Sequence, residues 1–293
     1  MQRIVPNIWF DHTAAEAAEF YTSVFPNARV VDTQHYPTEG LLDFQADMAG
    51  EVLTVEFEID GYRMIGINAG SEFRPNPSVS FFVNFDPSVD PDARRHLDEL
   101  WVALSDGGKA LMPLQEYPHS PHYGWIEDRY GVSWQLMLTD PAGEPRPFLI
   151  PSIMFGSTVR GRAREALDLY TSVFDGRVGG VFTYPPEAGE VAGEVMFADF
   201  QLLGQWFATM DAADQDFTFT CGVSLMVNCH GQDELDRYWD RLSAVPDAEV
   251  CGWCADEYGL SWQVVPDNLD ELMAKPGAYA KLMAMSKIDI AAF

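Results

Sequence analysis

The chain reads as an α+β protein built from four βαβββ modules, two in each of two consecutive repeats. Three observations predict this. Long segments recur in unchanged order: Tyr21-Thr22-Ser23-Val24-Phe25 returns at residues 170–174, residues 79–84 return at 223–228, and residues 125–135 return at 253–263. Ala17, Phe20, Tyr21, Val24 and Phe25 follow helical spacing, whereas residues 51–59 mix polar and apolar side chains as a strand with one wet face does. Predicted helices are too few, and strands too hairpin-linked, for an alternating doubly wound sheet.

Each element has a local reason. Residues 4–10 read as a short strand, and Thr13-x-x-Glu16 offers a capping box for the helix that follows. Pro26-Asn27 stops that helix. Strands are expected at 30–36, 52–59 and 64–68, with Asp60-Gly61 as a tight turn between the last two. The pattern restarts with a strand at 79–85, a helix across 92–104, a hairpin region and a final strand at 132–138. The second copy repeats it over 150–265, and residues 267–293 form a helical tail. Curved mixed sheets are expected to enclose one pocket in each repeat.

The offset between matching residues falls from 149 at Tyr21/Tyr170 to 138 at Trp101/Trp239 and 128 at Trp125/Trp253, and the last drop of ten places an extra loop at about residues 111–123 of the first copy. Residues 139–147, polar and holding Pro141, Pro145 and Pro147, suit a linker. The expected domains are therefore 1–140 and 150–293, each large enough to bury a core.

Eighteen basic residues against 45 acidic give a net charge of −27. Such a polyanion repels phosphate backbones and anionic lipid, so neither nucleic acid nor a membrane surface is an expected partner. No apolar run approaches the roughly 20 residues of a membrane helix. The N-terminal residues lack the apolar core of a signal peptide, so a cytoplasmic location is expected.

Two stretches carry a family resemblance. Pro6-x-Ile8-x-Phe10 before Glu16-Ala17-x-x-Phe20-Tyr21-x-x-Val24-Phe25 is one. Cys251-Gly252-Trp253-x-x-Asp256-x-x-Gly259-x-Ser261-Trp262-Gln263-x-x-Pro266, with its copy at 124–135, is the other. Lys287-Ile288-Asp289-Ile290 is a further match. The chain resembles the PhnB-like family of the vicinal oxygen chelate superfamily, alongside glyoxalases and bleomycin-resistance proteins. The resemblance implies tandem vicinal-oxygen-chelate domains of βαβββ modules. It also implies an intrachain pseudo-dimer, since single-domain relatives tend to be homodimers. Members often carry the label 3-demethylubiquinone-9 3-methyltransferase. A Rossmann-like site for S-adenosylmethionine needs a glycine-rich turn, and among 23 glycines no G-x-G occurs.

The superfamily's divalent metal sits on His and Glu side chains inside the barrel. Carried over by position, the ligands fall near Pro6 and Pro151, near Ser80 and Ser224, and at Gln135 and Gln263. Proline cannot ligate through its side chain, and neutral serine and glutamine bind metal weakly. No metal and no cofactor are therefore predicted. Gln135 and Gln263 become candidate ligand-binding residues, each an uncharged donor and acceptor beside a tryptophan. Asn68 and Asp211 end equivalent strands and are candidates too, with turn formation as the competing reading. Trp125 and Trp253 are candidate pocket walls, with core packing as the alternative.

All four cysteines, Cys221, Cys229, Cys251 and Cys254, lie in the second copy. Cys251-x-x-Cys254 could be a redox pair or half a zinc site with Cys229-His230. Ile126 at one equivalent position favours buried, inert thiols. His119 and His122 lie in the extra loop, read as exposed, with a pocket lid as the alternative. The expected function is metal-free binding of a small, partly apolar molecule. The alternative is a metal-dependent enzyme of glyoxalase or dioxygenase type with relocated ligands drawn from Asp211, His119 or Cys251/Cys254. A structural or interaction protein is a third reading.

Overall fold

The computed structural model describes residues 2–213 and 215–293. The first module holds β1 (Ile4–Phe10), α1 (Ala14–Val24), β2 (Ala28–His35), β3 (Val52–Ile59) and β4 (Tyr62–Asn68). The second holds β5 (Val79–Phe85), α2 (Ala93–Ser105), β6 (Lys109–Tyr117), β7 (Ser120–Glu127) and β8 (Ser133–Leu138). The third holds β9 (Leu149–Phe155), α3 (Ala163–Val173), β10 (Arg177–Thr183), β11 (Val195–Leu202) and β12 (Gln205–Asp211). The fourth is a strand shorter: β13 (Val223–Cys229), α4 (Gly231–Leu242), β14 (Trp253–Ala255) and β15 (Ser261–Pro266), followed by α5 (Leu269–Met273) and α6 (Ala278–Met283). The ten residues that the first copy has in excess extend the β6–β7 hairpin, so the expected loop is sheet.

The modules do not pair as their order suggests. One sheet runs β14-β15-β13-β1-β4-β3-β2, the other β10-β11-β12-β9-β5-β8-β7-β6. The first therefore joins modules one and four, and the second joins modules two and three. Antiparallel seams make the junctions, Asn7 opposite Ser224 in one sheet and Ser80 opposite Ser152 in the other. This corrects the expectation of one pocket enclosed by each repeat: every concave face draws on both. Within each sheet the outer strands of a module lie parallel, β1 beside β4 and β5 beside β8.

The helices cover the opposite face of each sheet, and one continuous core of buried residues runs through both, from Ile4 and Tyr21 to Trp134, Phe174 and Trp262. The two repeated sequence motifs meet there. Asp128 Oδ2 accepts from Tyr21 Oη at 2.9 Å and Trp134 Nε1 at 2.8 Å, and Oδ1 accepts from the amides of Tyr130 and Val132. Asp256 does the same with Tyr170, Trp262, Tyr258 and Leu260. Each carboxylate thus pins the first helix of a repeat to the last hairpin of that repeat. Burial pushes both carboxyls above the usual carboxylate range, against the pull of their four donors.

Thr13 and Glu16 do not form the expected capping box. Asn68 takes that role, its Oδ1 accepting from Ala14 N at 2.9 Å. The linker is tied down by Arg146, which bonds Asp199 at 3.0 and 2.8 Å and stacks 4.1 Å over the Trp206 ring. Tail residues bond the turn before β14, with Cys251 N donating to Met285 O and Gly252 N to Ser286 O. Among the described residues no helix is long and apolar enough to cross a membrane.

Candidate functional site

Strand alternation puts Gln135, Trp125, Gln263 and Trp253 on inner faces, whereas Asp211 and Asn68, opposite the core residues Phe155 and Phe10, turn to the helix side. Gln135, Trp125 and Asp211 belong to the eight-stranded sheet, and Gln263, Trp253 and Asn68 to the seven-stranded one. The former face carries a cavity of about 480 Å³. Phe82, Trp125, Phe197 and Tyr123 wall it, together with five of the chain's twelve methionines: Met112, Met137, Met154, Met196 and Met210.

Gln135 is the polar centre, 2% exposed on β8. Its Oε1 accepts from Tyr123 Oη at 2.6 Å, and its Nε2 donates to Ser80 Oγ at 2.8 Å and contacts Met154 Sδ at 3.9 Å. Both amide hydrogens are engaged, which leaves one lone pair on Oε1. Trp125 is fixed by its Nε1 bond to Ser133 Oγ at 2.7 Å. In the other sheet Gln263 repeats the contact with Ser224 at 2.9 Å.

The extra segment supplies the outer wall. His119 lines the cavity, 4.7 Å edge-on from the Tyr123 ring, and burial lowers its pKa below the usual histidine value. The alternation of β7 sends His122 the other way, onto Asp98 and Arg94 of α2. The His-x-x-His pair is therefore split between two environments.

Asp211 borders the cavity, but its carboxylate is fully engaged elsewhere. Oδ1 accepts from Gly161 N at 2.7 Å and Ala163 N at 3.1 Å, and Oδ2 from Val195 N at 2.9 Å. It anchors the start of α3 to β11, as Asn68 anchors α1 and, through Nδ2, Val52 O on β3. The turn-like reading of both positions accounts for these contacts.

Pro6 and Pro151 sit opposite Leu225 and Phe81, on the core side of their sheets. The inner positions are one residue on: Asn7 and Ser152. A barrel metal would therefore meet Ser80, Ser152 and Gln135 in one sheet, and Ser224, Asn7 and Gln263 in the other. These are neutral oxygen and nitrogen groups and do not fit a divalent cation that needs imidazole or carboxylate. Among the described residues no three His, Cys, Asp or Glu side chains gather as a metal would require.

The seven-stranded sheet differs at one decisive position. Trp9 stands on β1 where Met154 stands on β9, one residue before the end of each parallel pairing. Trp9 lies edge-on to Phe73 at 5.1 Å and Trp253 at 6.3 Å, and its Nε1 donates to Gly70 O at 2.7 Å. Trp253 is thus packed against an indole of its own chain, whereas Trp125 faces a cavity.

The four cysteines are free. Burial pushes the thiols of Cys251 up to about 11 and of Cys229 and Cys254 up to about 12. They are neutral at pH 7, and a neutral thiol is a poor nucleophile and metal ligand. We expect native protein at pH 7.5 to leave Cys251 and Cys254 unreacted with a disulfide reagent over minutes, and denatured protein to release all four equivalents. Rapid release of two equivalents from native protein would instead make this C-x-x-C a redox pair.

A larger and more open cleft of about 880 Å³ lies between α1, α2 and the linker, away from both inner faces. Its carboxylates are already engaged: Asp90 with His96, Glu99 with Arg95, Asp60 with Asn27, and Asp86 with the amide of Ser88.

Residues 2–137 and 148–265 both match the model of the family described as 3-demethylubiquinone-9 3-methyltransferase. Over 47% of this chain and all of the other, a PhnB protein from Bacillus cereus, described as a putative 3-demethylubiquinone-9 3-methyltransferase, is 30% identical, with a TM-score of 0.40. Glyoxalase I from Zea mays is 11% identical over 96% of this chain and 97% of its own, with a TM-score of 0.55, a likeness of fold. None of the curated proteins matches.

Proposed function

The chain belongs to the 3-demethylubiquinone-9 3-methyltransferase family, and from that premise we propose that it binds a small, partly apolar molecule without metal in the barrel of its eight-stranded sheet. One observation carries the reading: the barrel keeps a cavity of about 480 Å³ while its metal-ligand positions hold Ser80, Ser152 and Gln135. Gln135 orients the ligand through Oε1, and Trp125, Phe82 and the methionines enclose it. Methyl transfer from S-adenosylmethionine is not part of this reading. The sheets are mixed rather than doubly wound, and the sequence has no G-x-G turn to bring backbone onto such a cofactor.

Elemental analysis of protein purified without a tag tests it, paired with ligand titrations followed by tryptophan fluorescence. The expected result is saturable binding by protein carrying transition metal on the order of a tenth per chain or less, as weak neutral donors imply. Near-stoichiometric metal, lost on His119→Ala, would overturn the reading in favour of a metal-dependent enzyme with relocated ligands.

A further inference from the structure

The lining of the cavity narrows the ligand's chemistry further. We propose that the site takes an uncharged, planar aromatic molecule carrying one hydrogen-bond donor, and that the chain holds one such site. This rests on the binding reading above.

The first part follows from the sulfurs. Met112, Met137, Met154, Met196 and Met210 lie with Phe82, Phe197 and Trp125 around one space. A fold packing only for volume would use leucine or isoleucine, which hold better-defined rotamers. Thioethers are polarizable and make favourable contacts with aromatic rings, often at the ring edge. A saturated ligand of equal size gains no such contacts. The flexible methionine side chains also fit a flat molecule that slides between them.

The second part follows from charge. Asp211, beside the cavity, spends its carboxylate on three backbone amides. Among the described residues of the lining, His119 is the one other group with charge to offer in the neutral range, and burial disfavours its charged form. An ionic ligand would be desolvated without a counter-charge. The donor follows from Gln135, where Tyr123, Ser80 and Met154 occupy every hydrogen-bonding position except one lone pair of Oε1. A ligand hydroxyl or N–H satisfies it, whereas a bare acceptor faces a like partner.

The single stoichiometry follows from Trp9. It occupies in the seven-stranded sheet the place of Met154, against Trp253 and Phe73, so the equivalent space there holds an indole.

The test uses the full chain and four probes in calorimetric titrations at pH 7: 2-naphthol, decahydro-2-naphthol, 2-naphthoate and 2-methoxynaphthalene. We expect 2-naphthol to bind one per chain and at least tenfold more tightly than the other three. The double variant Met137→Leu/Met210→Leu should lose that preference over the saturated alcohol. A cooperative thermal unfolding transition near that of the wild type shows that the variant is folded. Equal affinity of naphthol and its saturated analogue would overturn the aromatic assignment and leave the binding site standing. Equal affinity of naphthoate would overturn neutrality, and equal affinity of the methyl ether would overturn the donor. Two equivalents per chain would overturn the single site. Failure of all four probes would overturn the binding reading itself.

Discussion

Replacing Asp128 or Asp256 by alanine is expected to cost about 4 kcal/mol of stability. Each carboxylate is the only acceptor the structure gives to four buried donors: a tyrosine hydroxyl, an indole N–H and two backbone amides. A buried donor stripped of its partner costs about 1–3 kcal/mol. Partial rearrangement and entry of water into the gap reduce the sum of four. At roughly 2–4 °C per kcal/mol for a chain of this size, the midpoint of thermal unfolding should fall on the order of 10 °C. Asparagine should cost less, because its carbonyl can keep both backbone amides while its NH₂ faces the indole N–H of Trp134 or Trp262. Urea unfolding of the four variants is the measurement. A loss near or below about 1 kcal/mol would mean that water satisfies the donors and that the cluster does not pin α1 and α3.

The second large effect is on binding. Met154→Trp should reproduce in the eight-stranded sheet the arrangement that Trp9 makes in the other, placing an indole in the cavity beside Trp125. Affinity for any ligand of the cavity should drop at least a hundredfold, equivalent to roughly 2.7 kcal/mol. The cavity of about 480 Å³ gives the ring room, so thermal stability should change little or rise. Titration of one ligand against wild type and variant reads both outcomes. Undiminished binding would mean that the ligand lies elsewhere, with the 880 Å³ cleft the first place to look.

Much of the scaffold was legible because its signals are local. Residues 52–59 and 79–85 form strands over the limits their alternation and apolar run suggest. Asp60-Gly61 turns between β3 and β4 with positive φ at both residues, as that dipeptide favours. The partnership of the modules was not legible. Val79 to Phe85 are all buried, so β5 is covered on both faces, and nothing in such a strand says whether β1 or β9 lies beside it. Thr13-x-x-Glu16 fits a capping box, but Asn68 reaches Ala14 N from 54 residues away, a competition no sequence window contains.

The site divides in the same way. Gln135 and Trp125 were found through the repeated motif and do line the cavity. Asp128 and Asp256 stand in both copies of that motif, and Tyr21 and Tyr170 in both copies of the other. A carboxylate kept between aromatic donors was a readable sign of a buried cluster. The methionines carried no such sign, since Met112, Met137, Met154, Met196 and Met210 come from five strands and meet only when modules two and three share a sheet.

That shared sheet also sets the order in which the chain can reach its final form. Ile4 pairs with Val227, so the seven-stranded sheet cannot close until the chain has been made as far as β13. The other seam, Val83 with Leu149, needs a far shorter excursion. Closing long loops early is entropically unfavourable, and distant strand pairing slows folding. During synthesis the eight-stranded sheet should therefore form around β5 and β9 while β1 waits with an open edge, and the seven-stranded sheet should be the last part to become protected from hydrogen exchange.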